Sequence, residues 1–224
     1  MLNSCNNKKR PTNDKLKKIN EQFVVAVKNN NIGLVKKLLD NGANPNFYIN
    51  KNNCLIEKNK NKLFYITSTT LFCHKKESWK FFINKEKRIT KDLNDTFQLP
   101  LFIAIKNGNL KIVKILYKYG VKRKTCYLNA TPIILSVKFN RKKILDFLLK
   151  NIKKFDDYFF YEIKYSLNVA KSCNRYNILK YLLNFLLKKE LKLNDKILES
   201  SLLDLADEIN DLSLYKDIIN VFNK

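Results

Sequence analysis

The residue types that carry most enzymatic chemistry are scarce in this chain. It has one histidine, His74, with Cys73 before it and Lys75 and Lys76 after it. Acid–base work by imidazole therefore has a single candidate. A zinc site would need two further ligands, and adjacent side chains such as Cys73 and His74 rarely both reach one metal. The five cysteines, Cys5, Cys54, Cys73, Cys126 and Cys173, are odd in number, and no two stand in C-x-x-C spacing. That usage fits reduced thiols in a compartment such as the cytoplasm better than a disulfide framework. Adjacent carboxylates occur at Asp156-Asp157 and within an acidic C-terminal stretch, with no cleft predicted around them. Four scattered glycines cannot build a phosphate-cradling loop, and neither G-x-S-x-G nor H-E-x-x-H occurs. The sequence thus predicts no catalytic residue, no metal and no cofactor.

What the chain does have is lysine. The formal net charge is +24, from 44 basic and 20 acidic residues. Such a balance suggests nucleic acid or an anionic surface as a partner. Only five of the basic residues are Arg, the type suited to bidentate contacts with phosphates and bases. The rest is Lys, accompanied by 31 Asn and many Ile, Phe and Tyr. That set is what an A/T-rich coding sequence yields by drift, so most of the charge reads as a solvated surface. Two basic triplets stand out by position. Lys122-Arg123-Lys124 follows a helix-ending glycine. Arg141-Lys142-Lys143 opens a helix, where cations face the positive end of the dipole. A local cost without structural return points to contact with an acidic partner.

The elements that must position these residues are short helices. Leu99–Val121 reads as two of them back to back. Pro100 suits a first helical turn, and Leu101, Ala104 and Ile105 share one face. Gly108 breaks the first helix. Leu110, Val113, Leu116 and Tyr117 line the second, which stops at Gly120, a residue suited to a left-handed cap. Helices of two or three turns are not stable alone in water, so the pair needs neighbours.

Copies of the pair are present. With Ala104 as marker, equivalents fall at Ala26, Ser136, Ala170 and Ala206, and a degraded copy stands at Thr69-Thr70-Leu71-Phe72 with His74 at the marker. From Ala104 onward the intervals are 32, 34 and 36 residues; from Ala26 to His74 the interval is 48, which implies an insertion. The unit resembles the ankyrin repeat, whose pattern is T-P-L-H-x-A-A-x-x-G-H-x-x-I-V-x-x-L-L and a Gly-Ala-Asp-x-Asn turn. Thr131-Pro132-Ile133 and Gly42-Ala43-Asn44-Pro45-Asn46 are parts of that pattern, and Gly108, Gly120 and Pro100 occupy its positions. The pattern's histidine is replaced by Phe102, Ile134 and Asn168, which implies a more apolar stack. Its mid-repeat glycine is replaced by Asn30, Asn140, Asn174 and Asn210. Asn tolerates the left-handed conformation better than other non-Gly residues, so the break should survive.

The resemblance implies an all-α solenoid of five to six helix-turn-helix repeats. We expect a basic, partly disordered segment at 1–20 that turns helical from about Asp14. The repeat domain should fill 21–224, with repeats near 21–46, 69–90, 99–121, 131–150, 165–184 and 201–222 and an insertion at 47–62. Leu71, Phe72, Trp79, Phe81 and Phe82 would supply the core of the weak second repeat. Consecutive Tyr158, Phe159, Phe160 and Tyr161 cannot all face inward, so an exposed aromatic patch is expected there. The acidic last repeat reads as a solubilising cap. No run of eighteen apolar residues suggests a membrane span, and the N-terminus lacks the apolar core of a secretory signal.

The function implied is a non-catalytic protein–protein interaction module, monomeric, with a host protein as an expected target by analogy and Lys122, Arg123, Lys124, Arg141, Lys142 and Lys143 as partner-binding residues. The alternative is nucleic-acid or anionic-surface binding through a Lys-rich face.

Overall fold

The computed structural model describes residues 13–47, 49–50, 97–122 and 131–222. Within them the chain is a row of antiparallel helix pairs. They are α1 (Asn13–Lys28) with α2 (Ile32–Asp40), α3 (Pro100–Asn107) with α4 (Leu110–Lys118), and α5 (Pro132–Lys138) with α6 (Lys142–Lys150). Two further pairs follow, α7 (Asp157–Ser172) with α8 (Tyr176–Lys188) and α9 (Lys196–Glu208) with α10 (Leu212–Phe222). The first helices stack in the order α1, α3, α5, α7, α9. The second helices form a parallel layer behind them. This is the all-α solenoid that the resemblance implies.

Local chemistry explains the boundaries. Pro100 and Pro132 stand in the first turns of α3 and α5, where a missing N–H leaves no bond unmade. Side-chain oxygens of Asn31, Asn109, Thr131, Asp156, Asp195 and Asp211 each accept from a backbone N–H three residues on, capping a helix start. Asp156 and Asp195 carry α7 and α9 further toward the N-terminus than the bare repeat motif suggests. At the break inside each pair the backbone is left-handed: Gly108 has φ 76°, and Asn30, Asn140, Asn174 and Asn210 have φ of 52–56°. Asparagine does the work of the missing glycines.

The core is continuous. The marker residues Ala26, Ala104, Ser136, Ala170 and Ala206 are all buried, which lets the two helices of a pair approach closely. Ser136 keeps its hydroxyl satisfied by donating to the Ile133 carbonyl at 2.6 Å. Phe102 and Ile134, in place of the motif's histidine, are buried between repeats. Apolar packing has replaced a polar tie there.

One feature departs from a regular march of repeats. The first pair packs directly on α3 and α4. Asn107 Nδ2 donates to the Lys28 carbonyl and to Asn30 Oδ1, and Asn109 Nδ2 donates to the same Asn30 oxygen at 3.2 Å. No helix pair stands between these two. The repeat expected near 69–90 lies outside the described residues, as do Cys73, His74, Trp79 and all but the first residues of the insertion. The excursion is closed at its base by a short antiparallel ladder. Ile49–Asn50 (β1) pairs with Phe97–Gln98 (β2), Ile49 opposite Gln98 and Asn50 opposite Phe97.

Candidate protein-binding surface

Because every pair runs the same way, the stack has two edges. One carries the segments that connect successive pairs: 41–47, 119–122, 151–156 and 189–195. The other carries the tight turns inside each pair. The described residues of the two basic triplets fall on different edges. Lys122 is on the connecting edge, with its backbone N–H donated to Asn46 Oδ1 at 2.9 Å, and Arg123 and Lys124 lie outside the described residues. Arg141, Lys142 and Lys143 are on the inner-turn edge, beyond the length of α5, about 10 Å at 1.5 Å per residue. The fold does not gather the four described members, Lys122, Arg141, Lys142 and Lys143, into one patch.

Arg141 has a different task from the one its spacing suggests. Its side chain leaves the start of α6 and reaches back to the neighbouring repeat. Nη2 donates to the Lys106 carbonyl at 2.7 Å, at the end of α3. A cation is favourable at that negative helix end. The guanidinium lies flat over Gly108, within 3.0 Å of where a Cβ would stand. The cost at one helix start is thus offset at another helix end. Lys142 is exposed and sets its ammonium 5.3 Å from the ring centroid of Tyr181, within cation–π range. Lys143 is exposed.

Tyr181 was invisible to motif reading. From α8 its hydroxyl donates to Asp146 Oδ1 on α6 at 2.6 Å, joining two repeats. Burial and the Asp146 bond push the Tyr181 phenol well above its usual range. Lys150, at 2.8 Å, and the Tyr181 hydroxyl hold the Asp146 carboxyl below the usual carboxylate range. A shallow groove of about 740 Å³ opens beside this pair, lined by Asn140, Lys142, Asn177, Lys180 and Lys188 among others.

Other cations are also turned to neighbouring repeats. Lys164 lies 3.6 Å from Asp195 and donates to the Asn194 carbonyl. Lys171 donates to the Ser201 carbonyl and hydroxyl, each at 2.6 Å. Lys180 pairs with Asp211, and Lys192 donates to the Asn220 carbonyl. Part of the acidic C-terminal stretch is therefore engaged by the repeat before it.

The connecting edge offers one aromatic exception. In the segment between α6 and α7, Phe155 is 37% exposed, with Lys153 and Lys154 exposed before it. Its ring is held from beneath by Phe159 at 4.9 Å and Phe185 at 6.4 Å between centroids. Within the run expected to hold an exposed patch, Phe159 is fully buried and Tyr158, Phe160 and Tyr161 are half-buried. The exposed ring sits just upstream, and the aromatic run is what supports it. On the first turns of α7, Tyr161 stacks on Tyr165 with centroids 6.2 Å apart.

Short helix pairs, stacked side by side with connecting segments along one edge, define a repeat solenoid, a class whose surfaces serve binding. The family model for ankyrin repeats in three copies matches residues 23–123 and 70–158, together more than half of the chain. The chain belongs to the ankyrin repeat family. Ankyrin repeats are generally protein–protein interaction modules. A stretch of 50 residues is 38% identical to the ankyrin repeat protein FPV022 of fowlpox virus (strain NVSL). That match covers 22% of this chain and 9% of the viral protein. Among the described residues no helix is long and apolar enough to cross a membrane.

Proposed function

We propose that this chain is a non-catalytic binding module that docks a host protein against its connecting edge. The observation that carries the reading is Phe155. It is an aromatic side chain held open by two rings behind it and flanked by Lys153 and Lys154. Aromatic anchors on rigid supports are typical centres of binding energy. The flanking ammonium groups suit an acidic rim on the partner, and Lys122 extends that charge along the same edge. The likeness to a viral ankyrin repeat protein supports a host target. The engagement of Arg141, Lys164, Lys171, Lys180 and Lys192 within the stack argues against reading the net charge as a nucleic-acid footprint.

Paired capture from host-cell lysate tests this. The whole chain and its Phe155→Ala/Lys153→Glu/Lys154→Glu variant serve as baits. A partner recovered by the first and lost by the second is expected. Equal recovery by both would remove the edge from the account.

A further inference from the structure

The two ends of the stack are not equivalent. Positions that face the preceding repeat can be followed from pair to pair by their offset from the marker residue. At the offset of Leu34 stand Ile112, Ile144, Ile178 and Leu214, all buried, whereas Leu34 is 39% exposed. At the offset of Val25 stand half-buried Ile103 and buried Leu135, Val169 and Leu205, whereas Val25 is 49% exposed. Gln22 is exposed where Pro100, Pro132, Ser166 and Leu202 are buried. Repeat one thus presents an apolar face of the kind that every later repeat covers. The opposite end is finished differently. The forward-facing positions held by Val24, Phe102 and Ile134, and by Val27, Ile105 and Val137, become exposed Asp204 and Asp207 in the last pair.

We propose that the open face of repeat one is the docking surface for residues 63–90 of the same chain. Three observations select that occupant. The segment carries repeat-like sequence, one family match spans it and the other begins within it at residue 70. The direct packing of α1 and α2 on α3 and α4 denies it a place between its sequence neighbours. Both of its connections leave from the β1–β2 ladder, whose strands follow repeat one and precede α3 in the chain. The shorter tether, 91–96, can span up to about 20 Å, roughly twice the separation of packed helices. Leu71, Phe72, Trp79, Phe81 and Phe82 give the segment an apolar set to lay on Val25 and Leu34. At the far end Asp204 and Asp207 stand where the earlier repeats have Val24, Phe102 and Ile134, and Val27, Ile105 and Val137, which suits an apolar segment less. The stack order would then differ from the sequence order, with 63–90 outermost and 13–40 second.

The full chain tests this. With Cys5, Cys54, Cys126 and Cys173 replaced by Ser, Leu34→Cys is treated with a short bis-maleimide, and linked peptides are mapped. A link within one chain from position 34 to Cys73 is expected, and none from Ile197→Cys at the far end. A link between chains would assign the face to a second copy, and absence of a link would leave the segment elsewhere; either overturns the proposal. Trp79 is the chain's one tryptophan and gives a second readout. Val25→Glu/Leu34→Glu should move its emission to longer wavelength while far-ultraviolet dichroism is kept. Unchanged emission in a folded variant would also overturn it.

Discussion

Gly108 and Arg141 form a pair that neither residue explains alone. Gly108 ends α3 at φ 76°, and the guanidinium of Arg141 rests where a Cβ would project. Gly42, with φ 93°, has no atom near the corresponding point. Both positions carry the left-handed penalty for a larger residue, about 1–2 kcal/mol. Gly108→Ala adds displacement of the guanidinium from the Lys106 carbonyl, a charge-assisted bond of about 1.5–3 kcal/mol. Gly108→Ala should therefore be measurably more destabilising than Gly42→Ala in urea unfolding. Equal losses would mean that Arg141 contributes nothing at that helix end. The glycine's conformation was legible in its place in the motif. The arginine's role was not, because its partner is a backbone carbonyl in another repeat, and spacing records nothing about it.

At the scale of the element, each helix is set by its caps and by the pair beside it. Asp211 shows both. Its carboxylate accepts the Leu214 N–H at 2.9 Å as the cap of α10 and pairs with Lys180 from α8. Lys180, with the backbone bond, holds the Asp211 carboxyl below the usual range. A carboxyl lowered in the folded state stabilises above its unfolded pKa, about 3.9. That contribution is lost as pH falls through the folded value. Asn can still cap but cannot pair. Thermal melts of the parent and Asp211→Asn should therefore differ by a constant amount from pH 7 to about pH 5, and the difference should shrink as pH falls below about 4. A difference that does not shrink with acidification would contradict the assignment. Nearby Asp217 shifts the other way, raised by burial, with Asp211 adding to the rise against Lys180. The helix pairs were readable from period and punctuation: Asn30, Asn140, Asn174 and Asn210 mark the breaks as clearly as glycine would. The early start of α7 was less so, since an aspartate cap ahead of an aromatic run resembles a loop.

Across the whole molecule, stability comes from neighbour contacts, as solenoids require. Apolar packing through Phe102 and Ile134 serves the early repeats, and Lys164, Lys171 and Lys180 tie the later ones together. Such a chain presents two kinds of basic residue. Some bind the stack, as Arg141 does, and some line its outer edge, as Lys153 and Lys154 do beside Phe155. Composition gives both the same value, which is why the candidate site was only partly legible. Lys122 stands on the same edge as Phe155, and the sequence directs attention to the run Tyr158–Tyr161 because nothing in the spacing marks the ring just upstream of it. The distinction is open to direct measurement. With a captured partner in hand, calorimetric titration should show Phe155→Ala weakening binding about tenfold or more, as truncation of a binding anchor does. Arg141→Ala should lower the unfolding midpoint and leave the affinity as it was. Affinity unmoved by Phe155→Ala but lost with Arg141→Ala would contradict this account of which edge binds and which residue holds the stack.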